Sequence, residues 1–154
     1  MKKLLAPLLC IAIPMAASAA DGGYKIAYDG GSVTDVKVGT RLKLYVDSNK
    51  IQLVSDRTLA TIPPSAVTEI SYGENVHRRV ETAIAVGFFT LGLGGLIALT
   101  KSKKHFVGLT WINGDQKGGL VMQCDKNDYR GVLTGLEGVT GKKAVDSANL
   151  TDKN

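Results

Sequence analysis

The sequence has few cysteines and few aromatic residues. Two cysteines in 154 residues exclude a disulfide-rich scaffold, which depends on several bridges. Aromatic side chains make up 6% of the chain, too few for a row of base-stacking platforms on single-stranded nucleic acid. Charged residues make up 21% and apolar residues 44%, a composition typical of a chain with a core and not of a disordered one. The length predicts one domain.

The first 20 residues have the pattern of a secretory signal peptide. Lys2-Lys3 precede a short apolar run, and Ala17-Ser18-Ala19 supply the small residues of a cleavage site. We expect cleavage before Ala20 or Asp21, and therefore an exported protein of the periplasm or cell envelope. An uncleaved anchor helix is the alternative, which the prolines in the run disfavour.

Cleavage changes both the charge and the cysteine count. It removes Lys2, Lys3 and Cys10, which lowers the formal charge from +5 to about +3 and leaves Cys124 as the single cysteine. We expect Cys124 to be a buried apolar residue on a strand. Pairing between two chains is the alternative.

Apolar and polar residues alternate through much of the chain, which predicts β-strands. The clearest run is Arg41–Val46, where Leu42, Leu44 and Val46 would face a core. Similar runs predict strands at 24–28, 33–38, 51–53, 59–62, 67–72, 106–112 and 120–124. The last two are joined by Asn113-Gly114-Asp115, a strong hairpin signal.

An amphipathic helix is predicted from Lys126 onward. Asp125 is its expected N-cap, and Gly138 or Gly141 its end. Four residues recur at i, i+3, i+4 and i+7 and form one apolar stripe: Tyr129, Val132, Leu133 and Leu136. Residues 142–154 are polar and are expected to form a flexible tail.

This order of elements resembles the PH-like domains of bacteria, including the GRAM-like ones. The resemblance is carried by four stretches: the meander Arg41–Ile62, the run from Ile62-Pro63 to Tyr72-Gly73, the hairpin Phe106–Cys124 and the helix from Lys126. The chain is also similar to a group of small secreted bacterial proteins with a basic-flanked apolar segment in mid-domain.

The resemblance implies a mainly β fold with a C-terminal helix, of the α+β class. Residues 21–141 would form one PH-like half-barrel of antiparallel strands, interrupted between strands by an apolar helical insertion, residues 76–104. It implies no ligand, because PH domains that bind phosphoinositides carry a basic cluster around their first hairpin. Here Arg41, Lys43 and Lys50 are scattered among acidic residues.

Residues 83–99 do not fit a soluble domain. No charge occurs in the nineteen residues from Thr82 to Thr100. As one helix they would extend about 28 Å, close to the ~30 Å thickness of the hydrocarbon core, which predicts a transmembrane helix. A single crossing, however, would separate the strands that precede it from those that follow.

Three interpretations of residues 83–99 therefore remain open. They could form a re-entrant hairpin folded at Gly92–Gly95, with the basic flanks at anionic headgroups. They could form a helix packed in a protein interior or against a second copy of the chain. They could also span once, and the predicted fold would then be wrong. The residues predicted to mediate membrane or self-association are Arg78, Arg79, Phe88, Phe89, Gly92, Gly94, Gly95, Lys101, Lys103 and Lys104.

The sequence contains no motif for catalysis, a cofactor or a metal. His77, His105 and Cys124 lack the spacing of a zinc site, and neither a nucleophile elbow nor a P-loop is present. We therefore predict no catalytic, cofactor-binding or metal-binding residue and no enzymatic activity.

The predicted function is that of an exported, membrane-associated scaffold or interaction module. It would act through a PH-like domain and through residues 83–99, with membrane lipid or a second copy as partner and an envelope protein as a further one. Nucleic acid is not expected, because the positive charge is concentrated at the ends of this segment. The alternative is a soluble periplasmic protein that binds a small apolar ligand, with residues 83–99 as an internal helix or lid.

Overall fold

The computed structural model describes residues 22–84 and 105–148. In chain order they form β1 (Tyr24–Gly31), β2 (Arg41–Val46), β3 (Ile51–Val54), β4 (Thr58–Ile62), a short 3-10 turn (Pro64–Ala66), β5 (Val67–Tyr72), α1 (Val76–Ile84), β6 (His105–Asn113), β7 (Gln116–Cys124), α2 (Tyr129–Thr140) and β8 (Val145–Asp146). The predicted α+β class, mainly β with a C-terminal helix, is confirmed.

The described strands form one open sheet in the order β4-β3-β2-β1-β7-β6-β5-β8. Strand β1 lies at the centre, between β2 and β7, although β7 comes near the end of the chain. Strand β8 runs parallel to β5, with Ser71 opposite Val145 and Tyr72 opposite Asp146. The sheet is therefore mixed, and the prediction of antiparallel strands alone is corrected at this edge.

The main core lies between one face of the sheet and helix α2. The alternating residues of β2, β3, β6 and β7 enter it, and α2 contributes Val132 and Leu136, which are fully buried. Helix α2 contacts both β2 and β5. Four strand spacings separate these strands, about 19 Å in a flat sheet, so the sheet must curve around the helix.

The connection between β1 and β2 contains no strand, although the valine spacing predicts one at 33–38. Asp35 and Gly39 have positive φ angles of 63° and 87°, and left-handed residues interrupt an extended strand. Val33 and Val36 nevertheless pack against the main core.

Helix α2 begins later than predicted. Residues 125–128 form a turn in which the Asp125 carbonyl accepts hydrogen bonds from the Asp128 and Tyr129 amides, at 3.0 and 2.9 Å. Gly141, with a φ of 69°, ends the helix in a left-handed conformation, the usual role of glycine at this position.

The residues after α2 are bound to the domain as far as the structure describes them. Beyond the parallel pairing of β8, Ser147 is fully buried, and its Oγ accepts a hydrogen bond from the Asn75 amide at 3.1 Å. The flexible tail predicted for 142–154 therefore does not describe residues 145–147. Residues 149–154 lie outside the described residues.

Helix α1 lies on the opposite face of the sheet from α2, which we call the outer face. Val76, Val80 and Ile84 recur at i, i+4 and i+8, are buried, and pack with Val121 and Phe106. This small second core covers the outer face of β6 and β7, and α1 also contacts β1, whereas neither described helix lies over the outer face of β2 and β3.

Two glycines allow α1 to lie this close to the sheet. A Cβ atom at Gly108 would lie 2.6 Å from Val76 Cγ1 and 2.7 Å from Val80 Cγ2. A Cβ atom at Gly119 would lie 2.6 Å from Ile84 Cδ1. Any side chain at these positions would displace the helix or its valines.

We expect Gly108→Ala to lower the free energy of unfolding by about 1–3 kcal/mol, the usual cost of overpacking. Equilibrium urea denaturation measures this change. Gly138→Ala is the matched control, because nothing lies within 4 Å of a Cβ at that position in α2. It should raise stability by about 0.5–1 kcal/mol. Unchanged stability of Gly108→Ala would contradict the close contact between α1 and β6.

Candidate functional site

The predicted interaction residues fall mainly on residues 85–104, outside the described ranges. Arg78 and Arg79 are described and lie on α1. Arg78 is exposed, whereas Arg79 is bound to the sheet. The members that lie outside the described residues are Phe88, Phe89, Gly92, Gly94, Gly95, Lys101, Lys103 and Lys104.

Arg79 joins α1 to β5 through a two-point ion pair with Glu69. Its Nε donates to Glu69 Oε1, and its Nη2 donates to Oε2 at 3.0 Å. The side chains of Arg79 and Glu69 are 17% and 30% exposed. The hydrogen bond to Glu69 raises the pKa of the Arg79 guanidinium above its ordinary value. Arg79 therefore has a structural role. Its position in the basic flank before the apolar segment does not indicate this role.

His77 joins α1 to β1 on the other side of the helix. Its Nε2 lies 2.7 Å from Asp29 Oδ2, and both side chains are mostly buried. Asp29 is the extra residue of a β-bulge between Tyr28 and Gly30, and a bulge redirects a side chain in this way. The His77 ring also meets Phe106 edge-to-face, with centroids 5.2 Å apart. Together, His77 and Arg79 fix α1 between β1 and β5.

His105, the first residue of β6, lies on the face opposite to its neighbour Phe106. Its ring centroid is 4.6 Å from that of Tyr129 on α2, and Tyr129 in turn meets Tyr72 edge-to-face. The two histidines that bracket the apolar segment are thus held by different contacts, on opposite faces of the sheet. Within the described ranges, no group of three His, Cys, Asp or Glu residues could hold a metal ion.

The two described ends of the apolar segment lie against one sheet. Ile84 lies against Gly119, while His105 pairs with Cys124, five residues further along β7. At about 3.4 Å per residue, the ends are about 17 Å apart along the strand. Strand β5, before the segment, pairs with β6, after it, with Tyr72 opposite Val107. The chain therefore leaves this sheet and returns to it.

These contacts correct the prediction of a transmembrane helix. The described part of helix α1, Val76–Ile84, has nine residues and includes the first residues of 83–99. Within 22–84 and 105–148 no helix has the length and the apolar character needed to cross a membrane. A single crossing is also incompatible with the pairing of β5 and β6, because both strands must lie on one side. Residues 85–99 themselves lie outside the described residues.

The sequence interpretation missed Asp29 and Glu69, the two acids that hold α1. No local pattern identifies them, since their partners are 48 and 10 residues away in sequence. The valine spacing of α1 was the available signal, because i, i+4, i+8 predicts one buried helix face.

No protein-family model matches this chain, and a search of curated proteins finds no match.

Cys124 is buried at the end of β7 and is not part of a disulfide. Burial raises the pKa of its thiol to about 12, and the charges of Asp128 and Asp125 contribute further. Because the thiolate is the reactive form, the residue is inert in the folded protein.

We expect Glu69→Gln to lower the free energy of unfolding by about 1–3 kcal/mol, since it removes the charged partner of a mostly buried guanidinium. Urea denaturation followed by circular dichroism measures the loss. Glu81→Gln, on the exposed side of α1, is the matched control and should change stability by less than about 0.5 kcal/mol. Equal effects of both variants would mean that the ion pair does not hold α1.

We expect Cys124 not to react with a thiol-specific disulfide reagent at about pH 8 in the folded protein. The chain used for both measurements lacks residues 1–20 and therefore Cys10. After unfolding in guanidinium chloride, Cys124 should react fully. Absorbance of the released chromophore measures both states. Rapid reaction of the folded protein would contradict the burial of the thiol.

Proposed function

We propose that this chain is an exported, non-enzymatic interaction module that associates with a lipid surface through residues 83–99. Its domain would be of the PH-like type. A mainly antiparallel sheet that curves around a C-terminal helix supports this assignment of the fold.

The observation that carries the proposal is the position of the two ends of the segment. Ile84 on α1 packs against Gly119 of β7 and His105 on β6 pairs with Cys124 of the same strand, and residues 85–100 of the uncharged run lie between them in sequence. An apolar segment of this size requires a covering partner. Because both ends return to one domain, the segment can enter a lipid surface without dividing the fold.

The charge at the ends of the segment is compatible with anionic lipid. Arg78 is exposed on α1, and Lys101, Lys103 and Lys104 follow the segment in sequence. Arg79 does not contribute, because Glu69 neutralises it. Basic residues close to an anionic surface are each worth about 1 kcal/mol, so these side chains favour binding to acidic vesicles.

The packing on the concave side of the sheet favours a lipid surface, and not a small internal apolar ligand, as the partner of this chain. It is occupied by α2 and by large buried side chains, including Leu44, Leu109 and Met122. A small apolar molecule would have to displace them, at the cost of the main core.

Flotation of the chain without residues 1–20, the predicted signal peptide, with lipid vesicles tests the proposal. We expect the protein to float with vesicles containing phosphatidylglycerol and less completely with vesicles of phosphatidylcholine alone. The double variant Phe88→Asp and Phe89→Asp should remain unbound, because burial of a charge in the hydrocarbon layer is costly. The matched control is Val38→Asp with Ile112→Asp, which changes two exposed apolar residues elsewhere and should float normally.

A second variant separates binding from folding. Replacement of residues 85–100 by about six Gly and Ser residues spans the ~17 Å between the described ends. It should keep the circular dichroism spectrum of the domain and lose flotation. An unsubstituted chain without residues 1–20 that stays unbound and monomeric overturns the proposal. A chain that stays unbound but forms an oligomer, which the replacement dissociates, favours self-association instead.

A further inference from the structure

Within the described part of the chain, α1 covers the outer face of β6 and β7 and does not extend over β2 and β3. A groove of about 530 Å³ lies there, across β7, β1, β2 and β3. Its floor is at Ala27, which pairs with Gln123 on one side and with Arg41 on the other. The methyl group of Ala27 between two long side chains produces the depression. Its volume is within the range of small-molecule sites, about 300–1,000 Å³.

Three cationic side chains meet at this groove. Lys25 on β1 is directly opposite Lys43 on β2, and Arg41 occupies the next position on the same face of β2. Directly opposed residues have Cβ atoms about 4.5–5.5 Å apart, and diagonal ones about 7–8 Å. The three cationic residues are therefore immediate neighbours on this face of the sheet, although Lys25 is distant from Arg41 and Lys43 in sequence.

This triangle of cations has no acidic partner in the described part of the chain. The ion pairs found there join other residues, and all three cationic side chains are exposed. Like charges directly opposite each other destabilise a sheet. An acidic group bound between Lys25, Arg41 and Lys43 would remove this repulsion and form charge-assisted hydrogen bonds.

The other polar residues of the groove limit what such a ligand can be. Asp125 lies at its β7 side and Asp56 at its β3 side, with Gln123 beside the floor. The two carboxylates repel a second acidic group and accept hydrogen bonds from hydroxyls, and the Gln123 amide both donates and accepts. The groove therefore suits one acidic group on a hydroxyl-rich body.

We propose that this groove binds a sugar acid or sugar phosphate. The triangle Lys25, Arg41 and Lys43 holds the acidic group, while Asp56, Asp125 and Gln123 bind the hydroxyls. The site is separate from the proposed lipid contact, because its residues lie on β1, β2, β3 and β7 and not on α1 or residues 85–104.

Isothermal titration calorimetry of the full chain with four probes tests the site: glucuronic acid, glucose 6-phosphate, glucose and inorganic phosphate. We expect both acidic sugars to bind about tenfold or more tightly than glucose, which lacks the acidic group. They should also bind about tenfold more tightly than phosphate, which lacks the hydroxyl-rich body. Equal binding of glucose overturns the role of the cations, and equal binding of phosphate overturns the assignment to a sugar.

Charge-removing variants assign the residues. Lys25→Gln and Arg41→Gln should each weaken binding of the acidic sugars by about tenfold or more. Lys117→Gln, an exposed lysine on β7 outside the groove, is the matched control and should bind normally. Without ligand, Lys25→Gln should melt at the same temperature as the unchanged chain or higher, because it relieves the repulsion with Lys43. Unchanged binding by Lys25→Gln overturns the proposal.

Discussion

Strands β5 and β6 pair across the segment 85–104, with Tyr72 opposite Val107 and Val67 opposite Trp111. The position of α1 and the second core of the outer face depend on this pairing. It brings the end of β5 beside the start of β6, so that α1 can turn back over β6 and β7 and bury its valines. It also keeps both ends of the apolar segment on one domain. A chain without this pairing would have neither the second core nor a defined position for α1.

The outer face of the sheet does not belong to the main core, and two different kinds of side chain cover it. Over β6 and β7, glycines remove the side chains and α1 replaces them with its own apolar face. Over β1 and β2, long charged side chains cover the sheet and leave a groove above Ala27. The His77–Asp29 hydrogen bond and the Arg79–Glu69 ion pair lie at the two edges of α1. They set its rotation, which the nonspecific contacts of the valines alone would leave less defined.

Much of the fold follows from local pattern in the sequence. Alternation in Arg41–Val46 specifies a strand, and the stripe that includes Val132 and Leu136 specifies a helix face. The hairpin of β6 and β7 follows from its turn, where Gly114 has a φ of 63°. These features depend on residues that are close in sequence, and the local sequence pattern therefore predicts them.

Other features depend on residues that are distant in sequence. Strand β1 could be placed beside β7 only through contacts across most of the chain, and the opposition of Lys25 and Lys43 depends on the register of β1 and β2. The hydrophobic periodicity of the sequence gives no information on the pairing of β1 with β7 or on the register of β1 and β2. The burial of Ser147 depends on β8 finding the edge of β5, for which the polar composition of 142–154 gives no signal.

The central position of β1 has a kinetic consequence. Ile26 pairs with Cys124, and high average separation between paired residues slows folding, because loop-closure entropy is lost before the contacts form. The sheet cannot close until β7 has been synthesised, after most of the chain. A ribosome-bound chain therefore carries β1 to β4 as an incomplete meander, in which β1 still lacks its neighbour β7. Such a chain remains accessible to chaperones until β7 has been synthesised.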